Sequence, residues 1–187
     1  MIRLDRIYTG GGDEGETSLG DGTRVPKTHP RIAALAAVEE ANAALGVARL
    51  HADGAVAEDL ARIQNDLFDL GADLCVPLQE EGGERRERLR ASPAQVERLE
   101  AAIDLLSAEL APLTSFILPG GSPASAQLHL ARCVVRRAEL AVLTTAEKEG
   151  LSPSLPVYLN RLSDYLFVAA RQQNDGGKAD VLWKPGG

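Results

Sequence analysis

Residues 9–19 read Thr-Gly-Gly-Gly-Asp-Glu-Gly-Glu-Thr-Ser-Leu, with four glycines (Gly10, Gly11, Gly12 and Gly15) ahead of two hydroxyls. This run is too polar and too rich in glycine to be core. Glycine reaches positive φ without steric penalty and lets backbone N–H groups approach a ligand closely. The run can therefore line a concave nest for phosphate oxygens, with Thr17 and Ser18 adding hydroxyls and Lys27 a charge. The same composition also suits a mobile N-terminal arm, and the run lacks the Gly-Lys-Ser/Thr ending of a P-loop.

A second candidate lies in the segment from Ser122 to about Glu149. At 3.6 residues per turn, Arg132, Arg136 and Glu139 fall within about 60° of one another, with Arg137 adjacent. A guanidinium is the side chain best shaped to hold phosphate, through a planar fork of donors. Solvated charge is the plainer use of such a face, but few residues between Ala124 and Val142 are of exposed type, which points to a helix covered on several sides. In the following segment Asn160, Asp164 and Phe167 form a polar-aromatic stripe beside a leucine seam. No Ser-His or Cys-His arrangement is apparent. His29, His51 and His129 have no Glu-x-x-His partner, which excludes a di-iron bundle. Cys75 and Cys133 have no Cys or His at metal-ligand spacing and are expected as buried, reduced thiols.

These residues need a frame, and hydrophobic periodicity supplies one. The chain of 187 residues suits one domain with a substantial core. From Pro30, a helix face recurs at Leu35, Val38, Asn42 and Leu45, with its start at Thr28 to Pro30. A second runs through Leu60, Ile63, Leu67, Leu70 and Leu74 and stops at Pro77. The stretch from Gln79 to Arg90 reads as a loose surface loop. Ser92-Pro93-Ala94-Gln95 is a capping box opening a third helix with Val96, Leu99, Ile103, Leu106 and Leu110 in its seam. Ser122-Pro123 opens the fourth, which Gly150 ends. The fifth opens between Ser152 and Pro156, carries Leu155, Leu159, Leu162, Leu166 and Ala169, and ends near Asn174. The expectation is a single all-α domain: a glycine-rich nucleotide-binding loop over residues 1–28, a five-helix up-and-down bundle over 29–174, and a tail over 175–187 able to dock or swap.

Composition narrows the partners. With 20 basic and 27 acidic residues the net charge is -7, which disfavours nucleic acid, and no DNA or RNA motif is present. No run approaches the roughly 18 apolar residues of a membrane span, and the first residues lack the apolar core of a signal peptide. The expectation is a soluble, cytoplasmic protein.

Together, Thr9 to Leu19, Lys27, the Ile63-Gln64 to Leu74 segment, Phe116-Ile117-Leu118-Pro119-Gly120-Gly121, Arg136-Arg137-Ala138-Glu139 and Tyr158-Leu159-Asn160-Arg161-Leu162-Ser163-Asp164 resemble the PduO-type ATP:cob(I)alamin adenosyltransferases, in the same order over Tyr8 to Arg171. The resemblance implies a five-helix bundle acting as a homotrimer with active sites between subunits. It also implies transfer of the 5′-deoxyadenosyl group of ATP, with Mg²⁺, to the cobalt of reduced cobalamin. It allows hand-off of the product to an adenosylcobalamin-dependent enzyme, and it leaves any protein ligand to the metal unassigned. It assigns Thr9, Gly10, Gly11, Gly12, Asp13, Gly15, Thr17, Ser18 and Lys27 to the triphosphate. Arg136, Arg137, Ala138, Glu139, Leu140 and Asn160 complete the nucleotide site. Glu39 and Arg132 form an acid-Arg pair across the subunit interface, and Phe116 lies on the lower face of cobalt. Three departures stand out: Glu39 where Asp is usual, Gly10 and Gly11 in place of a commonly basic residue and its neighbour, and Leu140 where Arg is frequent. Two other classes fit the residues without the resemblance: a different NTP-dependent transferase or kinase, and a non-catalytic nucleotide sensor or partner of a cobalamin-dependent mutase.

Overall fold

A computed structural model describes residues 7–8, 10–78 and 88–186; Thr9 and residues 79–87 of the expected surface loop lie outside these. Five helices follow a short ribbon of two strands, β1 (Glu16–Ser18) and β2 (Arg24–Pro26). They are α1 (Pro30–Arg49), α2 (Gly54–Cys75), α3 (Pro93–Ala108), α4 (Pro123–Ala146) and α5 (Ser154–Gln172). The α2 seam is as expected, with Leu60, Ile63, Leu67, Leu70 and Leu74 all buried. The capping box also forms: the Ser92 N–H donates to Gln95 Oε1 at 2.9 Å.

The buried face of α1 differs from the expected one. It is Arg31, Ala34, Val38, Ala41, Leu45 and Ala48, while Leu35 and Asn42 are only half-buried. Alanines spaced by seven explain the difference. Ala34, Ala41 and Ala48 belong to α1, Ala124, Ala131 and Ala138 to α4, and all six are buried. Where facing side chains are this small, helices approach closely, so this stripe packs while the larger leucine is turned outward.

Two polar clusters fasten the bundle. Arg31 is 1% exposed. Its Nε donates to Glu149 Oε2 at 2.8 Å, and its terminal nitrogens to the carbonyls of Leu74 and Gly150 at 3.0 and 3.3 Å, joining the ends of α1, α2 and α4. Asp66, also buried, accepts from Tyr158 Oη at 3.0 Å, Gln95 Nε2 at 3.0 Å and Arg98 at 2.8 Å, joining α2, α3 and α5. Arg90, expected at the edge of a loose loop, is instead tied back to α2, donating to Asp73 Oδ1 and to the Val76 carbonyl, both at 2.6 Å.

Residues 10–28 are not a free arm. The Asp21-Gly22 turn closes the ribbon, with Asp21 Oδ1 accepting from the Thr23 N–H at 2.9 Å. Leu19 and Val25 are buried, and the Gly20 N–H donates to the Cys75 carbonyl at 2.7 Å, satisfying the last turn of α2. Both cysteines are free, but Cys75 is half-buried and Cys133 is exposed. The expected burial of Cys133 is therefore not found: it lies on the outward side of α4.

Candidate functional site

The glycine run forms consecutive turns above the ribbon. The Asp13 N–H donates to Gly10 O and the Gly15 N–H to Gly12 O, both at 3.2 Å, and the Lys27 N–H closes onto Gly15 O at 2.8 Å. Gly15 holds φ at +84°, which an L side chain rarely adopts. Gly12 is needed for a different reason: a Cβ there would lie 3.0 Å from Lys27 Nζ, so the ammonium rests directly on the glycine backbone. Gly10, Gly11 and Asp13 are exposed.

Strand register separates the two hydroxyls. Thr17 pairs with Val25 and Ser18 with Arg24, so Thr17 shares the inward face with buried Val25, while Ser18 shares the outward face with Arg24. Arg24 donates to Gly11 O at 3.0 Å and to Ser18 Oγ at 3.4 Å, and pairs with Glu16 at 3.4 Å. The motif reading did not single out Arg24. The Asp-Gly turn signal, followed into strand register, would have placed it opposite Ser18.

The second half of the site lies where α4 crosses α5. Asn160 Nδ2 donates to Glu139 Oε1 at 3.1 Å, and the Arg132 guanidinium stands 5.5 Å from the centroid of the Phe167 ring. These two contacts set an antiparallel register that puts Arg136 level with Asp164, both exposed. Arg161, also unforeseen, fixes the Asn160 amide: its terminal nitrogen donates to Asn160 Oδ1 at 2.8 Å while its Nε is held by Glu100 at 2.8 Å. Arg137 pairs with Glu40 at 2.6 Å. Ala138 is fully buried, so its side chain has no access to a nucleotide, whereas Leu140 is 65% exposed. His129 packs edge-on against Phe167 at 6.2 Å. Burial, followed by the nearby Arg132 charge, holds its pKa below the ordinary histidine value, and Asp180 opposes the shift.

Phe116 is 77% exposed and is not a hydrophobic plug. Its ring meets Trp183 edge-on at 6.2 Å. The connection that carries Phe116 runs directly into α4 at Pro123, the end of that helix nearer His129 and Arg132. On another side of the bundle, α1 and α2 frame a largely apolar groove of about 610 Å³ lined by Leu35, Glu39, Asn42, Phe68 and Cys75. Cys75 is pushed up in pKa, chiefly by burial and then by Glu39. Within the chain, Glu39 and Arg132 make no ion pair among the described residues, and Arg132 Nε is buried without a hydrogen-bond partner among them.

The chain can be set against known proteins. The cobalamin adenosyltransferase family matches residues 7–173. The corrinoid adenosyltransferase of Mycobacterium tuberculosis is 49% identical over 190 residues, covering 100% of this chain and 96% of that protein. The cobalamin adenosyltransferase of Cupriavidus metallidurans is 44% identical, covering 97% of this chain and 96% of that protein. A variant of the PduO-type ATP:corrinoid adenosyltransferase from Lactobacillus reuteri, solved in complex with cobalamin and ATP, superposes with a TM-score of 0.86 at 32% identity, covering 96% of this chain and 99% of that one. The five-helix frame, the glycine turn with Lys27 above α1 and the Arg132–Arg136–Glu139 face against Asn160 thus occur in a chain that matches along nearly its whole length, and it belongs to the cobalamin adenosyltransferase family.

Proposed function

We propose that this ATP:corrinoid adenosyltransferase builds its site from two parts: the glycine ribbon with Lys27, and the α4–α5 stripe from Phe116 through Arg132 and Arg136 to Asn160. The observation that carries this reading is the continuity of that stripe, pinned by Glu139–Asn160 at 3.1 Å and Arg132–Phe167 at 5.5 Å, with the Phe116 connection leading into the start of α4. In the reaction the cobalt of cob(I)alamin attacks C5′ of ATP. The Co–C bond forms, the C5′–O bond breaks, and triphosphate leaves with the bonding pair. Cobalt is the nucleophile, so the chain needs none. Negative charge gathers on the leaving oxygen, so Lys27, Arg136 and the glycine-turn N–H groups stabilise the transition state more than the ground state. Thr9, Gly10, Gly11, Gly12, Asp13, Gly15, Thr17 and Ser18 wrap the phosphates, Thr17 chiefly through its backbone. Arg137, Glu139, Leu140 and Asn160 border the nucleoside, and Ala138 supports them from the core. Mg²⁺ is expected with the triphosphate, and no residue of the chain is assigned to hold it.

The two parts come from neighbouring chains of a homotrimer. Support comes from helix geometry. Lys27 lies just before α1, and Arg137 is level with Glu40, ten residues into that helix. At 1.5 Å per residue the ribbon and Arg136 are about 15 Å apart along one chain, further than one side chain reaches. The Arg132 Nε, buried without a hydrogen-bond partner among the described residues, is likewise a group that pairing across an interface would satisfy, and Glu39 is an exposed carboxylate of opposite charge at the edge of the apolar groove. No helix among the described residues is long and apolar enough to cross a membrane, and the two free thiols suit the cytoplasm.

Incubation with MgATP and reduced cobalamin should yield the light-sensitive absorption of a cobalt–carbon bond, and its absence, or its appearance without ATP, would refute the activity. For the shared site, Lys27→Ala and Arg136→Ala chains should each be impaired and regain activity when refolded together. Failure of that complementation would place both halves in one chain.

A further inference from the structure

Phe116 has little packing of its own, and the chain after α5 holds it from beneath. The Trp183 N–H donates to Phe116 O at 2.7 Å, the Leu118 N–H to Val181 O at 2.8 Å, and Ser115 Oγ to Trp183 O at 3.1 Å, with Ile117 and Leu182 paired as an antiparallel bridge. Val181, Leu182 and Trp183 are each 42–58% exposed, so apolar burial does little to keep this strap in place. The attachment is Asp180. Its side chain is 5% exposed and accepts from Arg171 Nε at 2.8 Å and from Asn174 Nδ2 at 2.9 Å. The same cluster grips both ends of the connection that carries Phe116. Arg171 donates onward to Ala111 O at 2.9 Å, and Asn174 Oδ1 accepts from the Ser122 N–H at 3.1 Å. Asn174 sits so close that a Cβ on Gly121 would fall 2.3 Å from its Oδ1.

We infer that Asp180 and Arg171 form a latch that fixes residues 181–183 as a strap under Phe116, which makes Asp180 and Trp183 positioning residues for the ring that faces cobalt. The inference rests on the reading of Phe116 as the ring on the lower face of cobalt, where excluding the lower axial ligand makes cob(II)alamin easier to reduce to cob(I)alamin. A ring that excludes a lower ligand from cobalt must be held within a fraction of an ångström. An exposed ring on an untethered loop would not be. The strap supplies main-chain hydrogen bonds on both sides of Phe116 and an indole in edge-on contact with its ring, and the buried charge pair keeps the strap in register.

Trp183 is the one tryptophan of the chain, so its emission reports the strap directly. Asp180→Asn keeps the side-chain size and leaves Arg171 its Ala111 partner. It should red-shift the emission, raise acrylamide quenching, and lower the rate starting from cob(II)alamin about tenfold, while the rate with pre-reduced cob(I)alamin changes less than about threefold. Trp183→Ala leaves the latch intact and should give the same split at an unchanged melting temperature, with rescue by Trp183→Phe. Equal losses from both cobalt states would overturn the latch, because a tail that only supports folding slows both alike. Phe116→Ala in the same assay separates the two claims. A split there without a split in Asp180→Asn or Trp183→Ala overturns the strap alone, and no split in any of the three overturns the role of Phe116 as well.

Discussion

Gly12→Ala tests the phosphate turn without touching a charged residue. Gly12 does not occupy the positive-φ region, so alanine brings no backbone strain, and the effect reduces to crowding. The new Cβ would lie 3.0 Å from Lys27 Nζ, 3.1 Å from its Cε and 3.2 Å from the Glu16 carbonyl. The carbonyl belongs to β1 and cannot recede without disturbing the pairing of Glu16 with Pro26, so the lysine must move. Loss of a hydrogen bond to a charged group amounts to about 1.5–3 kcal/mol. That corresponds to roughly ten- to a hundredfold in kcat/KM for ATP, with the corrinoid KM unchanged. Lys27→Met should cost a similar amount. In the double variant the crowding has nothing left to displace, so the two effects should fall short of additivity by about 1–2 kcal/mol. Steady-state rates with saturating cob(I)alamin and varied ATP measure this. Strict additivity, or a loss carried by the corrinoid KM, would refute the claim that Gly12 is glycine for the sake of Lys27.

Arg136→Ala should lower kcat/KM by about 10²- to 10³-fold with the bundle still folded, and Arg136→Lys should rescue it poorly, since an ammonium lacks the planar fork; near-normal rates in the alanine variant remove Arg136 from the site. Amide exchange should slow on ATP binding at residues 10–15, while the Leu19 and Gly20 N–H groups, already bonded, stay protected throughout; equal protection of residues 10–15 with and without ATP makes the turn a structural element. Tyr158 and Tyr165 have pKa values raised above the ordinary 10.0, first by burial and then by the facing carboxylates Asp66 and Asp59. The unfolded chain therefore releases these protons first, and stability present below pH 10 should fall above it by about 1.4 kcal/mol per pH unit for each tyrosine. Tyr165→Phe should flatten alkaline unfolding curves, and an unchanged slope would contradict the assignment.

What the sequence made legible follows from the strength of each signal. Leucine at steps of three and four in α2 and the Ser92 capping box left little choice of structure, because large apolar side chains and a cap each favour one local geometry. The face of α1 was misread because alanine contributes little hydrophobic signal, yet Ala34, Ala41 and Ala48 meet their counterparts on α4 closely enough to turn Leu35 away. Three-residue strands fell below any alternation pattern, although Asp21-Gly22 marked the turn between them. The exposure of Cys133 could not be read from its position inside a helix, since a cysteine suits either face.

The site residues were legible as types, and their division of labour was not. Thr17 and Ser18 are neighbours in sequence, but strand alternation turns them to opposite faces, so only one hydroxyl shares a surface with Arg24. Arg132 and Arg136 are one turn apart, yet the first has a buried Nε and lies against Phe167 while the second is exposed. Exposure of that kind suits a ligand that arrives and leaves. A buried guanidinium nitrogen with no acceptor is a standing penalty unless some group reaches it. Glu39 stands exposed at the edge of a mostly apolar groove, where its charge is open to a partner. A buried Arg132 Nε without an acceptor and an exposed Glu39 carboxylate, not paired with each other within the described chain, would be reconciled by a second copy of the chain. Pair formation and assembly then become one equilibrium. Glu39→Gln should therefore weaken the proposed trimer and corrinoid binding together, as followed by sedimentation and by equilibrium binding of cob(II)alamin, and a variant that loses one without the other would disconnect this pair from the interface.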